Sequence, residues 1–303
     1  MEIIYSDENI NLNNSVVVLG NFDGVHYAHR KLVEKAVCIA KEKNLKVVVY
    51  TFSQHPKKLL GKKVEILTTN SEKEALFNKM GVDILVYQKA DMDFLGISPE
   101  EFVESIVIRK LGAKCVVVGK HYSFGANAKG TSETLKIILN GFSVETYIEE
   151  LVEMDGSIIS SSRIRELLKN GNVSQANTLL GRAFSVEGTV VHGNHLGTGI
   201  GFPTANINFD EGKIVPKYGV YAGKATVDGV TYNAVVNIGV KPTVGCDVPL
   251  LEAHIIGASL NFYGRRIVFE LFEFLREERK YDSLDELKKQ IRIDLQNTIE
   301  YFK

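Results

Sequence analysis

Two histidines three residues apart, His26 and His29, close the run Gly20-Asn21-Phe22-Asp23-Gly24-Val25-His26-Tyr27-Ala28-His29, which leads into an amphipathic stretch. Glycines at 20 and 24 let the backbone turn tightly, and a helix N-terminus behind the turn offers free N–H groups to an anion. The chemistry that fits is nucleotide phosphate binding, with both imidazoles donating to negative charge as it develops in a transition state. Neither ring needs to act as a base. The plainer alternatives are a surface pair at a helix start, or half of a metal site. A second run, Ile159-Ser160-Ser161-Ser162-Arg163-Ile164-Arg165-Glu166, brings hydroxyls and guanidiniums to another predicted helix start. It suits polyphosphate, or else a serine N-cap with solvated arginines.

A third run holds Gly193, Gly197, Gly199 and Gly201 ahead of Phe202-Pro203-Thr204-Ala205-Asn206. Such glycine density permits close backbone approach to phosphates, although it lacks the Gly-Lys-Ser/Thr of a Walker A loop and equally describes a hairpin. Thr204 and Asn206 lie two apart, so an extended chain turns both side chains to one face. Neutral oxygens of this kind suit Mg2+ once ATP supplies the negative charge and waters complete the octahedron. A structural turn after Pro203 is the other reading.

These residues need elements to hold them. From Ser15 onward the runs Val16-Val17-Val18-Leu19, Val47-Val48-Val49-Tyr50, Ile84-Leu85-Val86-Tyr87 and Cys115-Val116-Val117-Val118 alternate with predicted helices near 30–43, 71–80, 99–111 and 132–139. Continuous apolar strands separated by helices indicate a parallel sheet covered on both faces, a doubly wound, Rossmann-like α/β domain. Helical spacing continues over 160–168 and 173–180, with Gly171 and Gly181 as stops, which places the end of the first domain at 182. From 183 to 303 short strands divided by glycines predict a small antiparallel barrel, with strands near 186–192, 219–227, 232–238, 251–256 and 267–275. Ser283, with Glu286 three residues on, predicts a capping box for a terminal helix whose apolar stripe is Leu284, Leu287, Ile291, Leu295 and Ile299.

The chain of 303 residues has room for two cores, and 45% hydrophobic with 24% charged residues is ordinary globular composition. A formal charge of -1 gives no overall field for nucleic acid or an anionic membrane, and neither is expected as a partner. Cys38, Cys115 and Cys246 form no zinc or redox spacing, no apolar run approaches a membrane span, and residues 1–14 lack a signal-peptide pattern. The expectation is a cytoplasmic protein, a monomer or weak oligomer.

In the order of its motifs the chain resembles the bacterial bifunctional riboflavin kinase/FMN adenylyltransferase (FAD synthetase) family. The first two runs resemble its nucleotidyltransferase domain. Gly-Phe-Pro-Thr-Ala-Asn, Gly219-Val220-Tyr221, Asn237-Ile238-Gly239-Val240-Lys241-Pro242-Thr243, Leu251-Glu252-Ala253-His254 and Tyr263-Gly264 resemble its flavokinase domain. The resemblance implies phosphorylation of riboflavin to FMN and adenylylation of FMN to FAD, each with ATP and Mg2+. It assigns His26 and His29 to adenylyl transfer, and Gly20, Phe22, Asp23, Gly24, Ser161, Ser162 and Arg163 to its nucleotide. It assigns Glu252 as the base for the riboflavin 5'-hydroxyl, Thr204 and Asn206 to the metal, the glycine loop to ATP, and Arg276, in Leu275-Arg276-Glu277-Glu278, to the flavin or closing loop. Several positions depart from the family pattern, among them Ala28, which replaces a glycine, Ser53, which replaces an acidic residue, and His121, which replaces an acidic or amide residue. They keep open a second reading, a riboflavin kinase whose N-terminal domain is impaired and serves structure or regulation. A flavin-sensing module is a third.

Overall fold

β-branched residues at consecutive positions favour extended backbone, and here each such run sends alternate side chains to opposite faces of one sheet. The computed structural model describes residues 1–59, 61, 63–191, 201–243, 246–258 and 262–303. Its N-terminal strands are β1 (Glu2–Tyr5), β2 (Ser15–Leu19), β3 (Lys46–Phe52), β4 (Ile84–Gln88) and β5 (Ala113–Gly119). The short pair β6 (Ser123–Phe124) and β7 (Gly130–Thr131) follows, then β8 (Glu145–Glu149). The main sheet runs β1-β4-β3-β2-β5-β8 and is parallel throughout.

Val16, Val18, Val47 and Val49 face one core with Leu32, Val33 and Ala36 of α1 (Tyr27–Lys43) and Phe77 of α2 (Asn70–Lys79). Val17, Leu19, Val48 and Tyr50 face the other. After α3 (Met92–Gly96), that second core is covered by α4 (Pro99–Glu101), its π-helical continuation Phe102–Lys110, and α5 (Ser132–Asn140). The wider winding shows where Leu111 N donates to Ile106 O at 2.9 Å, five residues back. Strand order reverses at β2, so the loop after it opens into the crevice at the carboxyl ends of β2 and β5, where doubly wound folds bind ligands.

After the hairpin β9 (Glu153–Met154) and β10 (Ser157–Ile158) come α6 (Ser161–Lys169) and α7 (Val173–Leu180). The chain forms two compact units that divide between Ser161 and Ser162. The reason is hydrogen bonding: Asn177 Nδ2 donates to Leu271 O at 2.8 Å, and Lys217 N donates to Leu168 O at 2.9 Å. These bonds tie α6 and α7 into the second unit.

That unit holds β11 (Phe184–Thr189), β12 (Ala205–Asn208), β13 (Gly219–Val227), β14 (Val230–Thr243), β15 (Cys246–Ile255) and β16 (Arg266–Arg276), all antiparallel in the order β11-β16-β13-β14-β15-β12. Val191 N donates to Asn206 O at 2.8 Å, bridging the two edges into a nearly closed barrel. Val186, Ile207, Tyr221, Val236, Leu251 and Phe269 fill its interior. α8 (Leu284–Tyr301) packs on β13 and β14. Ser283 caps it as predicted, but the Glu286 carboxylate accepts from Asp282 N rather than from the cap residue, so the box is offset by one. Leu284 is exposed, and the buried positions of α8 are Asp294 and Thr298.

Candidate active sites

The loop after β2 is set by backbone geometry. Phe22 (φ 50°), Gly24 (φ 88°) and Val25 (φ 38°) lie in left-handed space, which a bulky or β-branched residue adopts only where its surroundings hold it. Phe22 and Val25 are fully buried, the Phe22 ring lying edge-on to His29 and to Phe77. Gly20 serves by having no side chain, because a Cβ there would approach the Phe22 ring to 2.9 Å. Asp23 points inward: its Oδ1 accepts from Leu67 N at 2.8 Å and Thr68 N at 3.3 Å, while Thr68 Oγ1 accepts from Gly24 N at 3.0 Å. Asp23 therefore anchors the loop through its side chain, while the N–H groups of Gly20 and Val25 donate to Tyr50 O at 3.3 Å and Phe22 O at 3.2 Å.

His26 is the N-cap of α1, its Nδ1 accepting from His29 N at 3.4 Å. A neutral imidazole that accepts at Nδ1 carries its proton on Nε2, so in that form His26 can donate from its far nitrogen. His29 stacks on it with ring centroids 3.6 Å apart and planes 15° from parallel. The structure thus brings His26 and His29 together at a helix N-terminus. Ser161 joins them, its Oγ donating to Asp23 O at 2.8 Å. Ser162 and Arg163 follow in the first turn of α6, the former exposed and the latter half-buried.

One residue beside this loop carries no sequence signal. Lys73 of α2 is buried, donates to Phe52 O at 3.2 Å and lies over the Tyr87 ring. Burial lowers its pKa to about 8, against the raising influence of the Asp23 and Glu74 carboxylates. A lysine on a helix ordinarily reads as solvated, so only the structure reveals it. Asn70 Nδ2 donates to Ser53 O at 3.0 Å, so α2 holds the end of β3 and the segment after it from two positions.

The second site is a row of side chains. Glu252 of β15 stands opposite Asn206 of β12 and, on its other side, opposite Asn237 of β14. Cross-strand partners share a face, and the alternating Ile207, Val236, Ile238, Leu251 and Ala253 fill the interior, so the three polar residues share the outer face. Thr204, half-buried, lies two residues before Asn206. Asn206 is 3% exposed, and its Oδ1 has no hydrogen-bond partner among the described residues. A buried amide oxygen awaiting a partner, with a threonine hydroxyl beside it in sequence, is a donor set that fits Mg2+. Gly201 has φ 91°, a conformation that favours glycine. Gly193, Gly197 and Gly199 lie in 192–200, outside the described residues.

Arg276 of β16 lies in register with this row through Val220 of β13, and its guanidinium is engaged by the terminal helix. Its Nε and Nη2 donate to the Asp294 carboxylate of α8 at 2.7–3.1 Å, and its Nη1 donates to Glu277 O at 3.0 Å. Asp294 is 2% exposed, so the guanidinium neutralises a buried charge and pins the terminal helix to the barrel.

Known proteins match both units. The FAD synthetase family model matches residues 8–163, and the riboflavin kinase family model matches residues 180–302. The bifunctional riboflavin kinase/FMN adenylyltransferase of Bacillus subtilis is 40% identical over 95% of this chain and 92% of its own length. The Escherichia coli K12 protein of the same name is 35% identical, with 95% and 92% covered. A solved structure titled a macrolide-efflux protein from Streptococcus pneumoniae superposes with a TM-score of 0.91 at 32% identity, covering 98% of this chain and 99% of that one.

Proposed function

We infer that this chain, which belongs to the bifunctional riboflavin kinase/FMN adenylyltransferase family, carries both of that family's activities, making FMN from riboflavin and FAD from FMN. The observation that carries this is the pair of family matches, one on each half of the chain. The match over 8–163 favours this reading over a kinase with an impaired N-terminal domain, despite Ala28, Ser53 and His121.

In the kinase step the Glu252 carboxylate accepts the proton of the riboflavin 5'-hydroxyl as that oxygen bonds to the γ-phosphorus of ATP and the bond to ADP breaks. The register pairing of Glu252 with Asn206 supports this role. Thr204 and Asn206 would hold Mg2+, which when bound neutralises phosphate charge. In the adenylyl step an oxygen of the FMN phosphate attacks the α-phosphorus of the second ATP, and pyrophosphate leaves. The attacking phosphate is already ionised, so no base is needed. The work falls to donors: His26 through Nε2, His29 stacked on it, and the N–H groups at the start of α1. The family resemblance assigns the nucleotide's remaining contacts to Gly20, Phe22, Asp23, Gly24 and Ser161, and also to Ser162 and Arg163.

No helix among the described residues is long and apolar enough to cross a membrane. With ATP as co-substrate, the cytoplasm is the compartment we propose, for a monomer or weak oligomer. The test is to supply riboflavin and Mg-ATP and separate the flavins over time. FMN followed by FAD is expected. FMN that accumulates without FAD under excess ATP would return the kinase-only reading.

A further inference from the structure

Glu252 has an asparagine on each side in its row. Asn206 is assigned to the nucleotide and its metal, whereas Asn237 has no part in the steps above. Its Nδ2 donates to Glu278 Oε1 at 3.0 Å. An ionised carboxylate only accepts, so this bond fixes which end of the carboxamide is nitrogen and turns Oδ1 away from Glu278. That Oδ1 is buried and has no hydrogen-bond partner among the described residues. Gly239, two residues further along β14 and so on the same face, completes the arrangement. A Cβ there would overlap the Glu278 carboxylate, and the glycine leaves the carboxylate its place.

A buried acceptor without a donor is a cost that a ligand can relieve. The donor must bring an O–H or N–H. ATP presents phosphate oxygens to this region, and these accept. The acceptor substrate brings hydroxyls, one of which must reach Glu252, the immediate neighbour of Asn237. Adjacent strands lie about 4.8 Å apart, a gap that a chain with hydroxyls on successive carbons can bridge. We propose that Asn237 is a substrate-binding residue of the kinase site, whose Oδ1 accepts from a polyol hydroxyl other than the one phosphorylated, with Glu278 holding the carboxamide in that orientation. The proposal rests on the kinase reading and deepens it, since it makes the polyol chain, and not the ring alone, part of what the enzyme recognises.

The experiment compares kcat/KM for riboflavin with that for a flavin bearing a 5-hydroxypentyl chain, which keeps the terminal alcohol and lacks the others. The unaltered chain should prefer riboflavin by about tenfold to a hundredfold. Asn237→Leu should lose most of that factor with riboflavin and little with the analogue, so that the preference collapses. The KM for ATP and the half-saturating Mg2+ concentration should not move. Glu278 is exposed, so Glu278→Ala tests the same point without disturbing the fold, and it should erode the preference in the same direction by a smaller factor. Retention of the full preference in both variants would overturn the proposal. So would a shift in Mg2+ requirement with the preference intact, which would assign the oxygen to the metal's water shell. Failure of the unaltered chain to phosphorylate riboflavin would instead overturn the kinase reading itself.

Discussion

The loop from Gly20 to His26 and the row from Asn206 through Glu252 to Asn237 are both proposed to serve phosphate chemistry, yet they are built from different material. The loop is a backbone device. Phe22 and Val25 are held at positive φ by burial, Asp23 is turned inward as an anchor, and the side chains brought to the helix start are two stacked imidazoles. The row is a side-chain device. Sheet register alone sets three polar groups on one face, and two of them present amide oxygens without partners among the described residues. A site that neutralises a spreading negative charge needs many fixed donors, which a strained loop and a helix start provide. A site that must take one proton and orient one alcohol needs a few acceptors at set spacing, which adjacent strands provide.

If that contrast holds, the two sites should fail separately and for different reasons. A large effect is expected at the loop: His29→Ala removes a donor and the ring that stacks on His26. FAD formation from supplied FMN should fall about 100- to 1000-fold, while the rate of riboflavin phosphorylation stays as it was. Equal loss of both rates in a folded variant would break the separation. Next comes Arg276→Ala, which strands the buried Asp294 carboxylate. It should destabilise the second unit by about 3–5 kcal/mol in urea unfolding, and the KM for riboflavin measured well below the transition should change little. A large rise in that KM with stability unchanged would return Arg276 to the flavin.

The smallest effect belongs to Lys73 and sharpens the account of how the loop is supported. Its folded pKa is lowered from 10.5 to about 8, so across that window the unfolded chain holds a proton the folded chain does not. Stability of the first unit should therefore rise as pH climbs from about 8 to 10.5, by an amount on the order of 1–3 kcal/mol. Lys73→Met should flatten that rise, read as urea midpoints at a series of pH values. A midpoint that falls over the same range in the unaltered chain would contradict the burial of a charge there.

Much of this was legible in residue types. The runs at Val16, Val47, Ile84 and Cys115 became β2 to β5 because consecutive β-branched residues suit a sheet buried on both faces. The barrel strand Gly219–Val227 appeared with the predicted ends. β1 and β8 were missed because edge strands are half wet: Glu2 and Ile3 of β1 are exposed, and β8 reads Glu-Thr-Tyr-Ile-Glu. The terminal helix was foreseen, but its burial of Asp294 was not, since a periodicity of apolar residues is blind to a carboxylate paired with a distant arginine. The same limit hid Lys73. At the sites, spacing singled out His26, His29, Thr204 and Asn206, and the family resemblance singled out Glu252. It could not show that Phe22 and Val25 adopt positive φ, because neither is a glycine and tertiary packing alone holds them there.

The central claim is that phosphorylation depends on the carboxylate at position 252 while adenylylation does not. Its most direct test is Glu252→Gln, assayed once with riboflavin and once with FMN, each with Mg-ATP and with products separated by chromatography. Loss of about 100- to 10,000-fold in FMN formation, with FAD formation from FMN at the unaltered rate, is the predicted outcome. A folded variant that phosphorylates riboflavin at the original rate would contradict it.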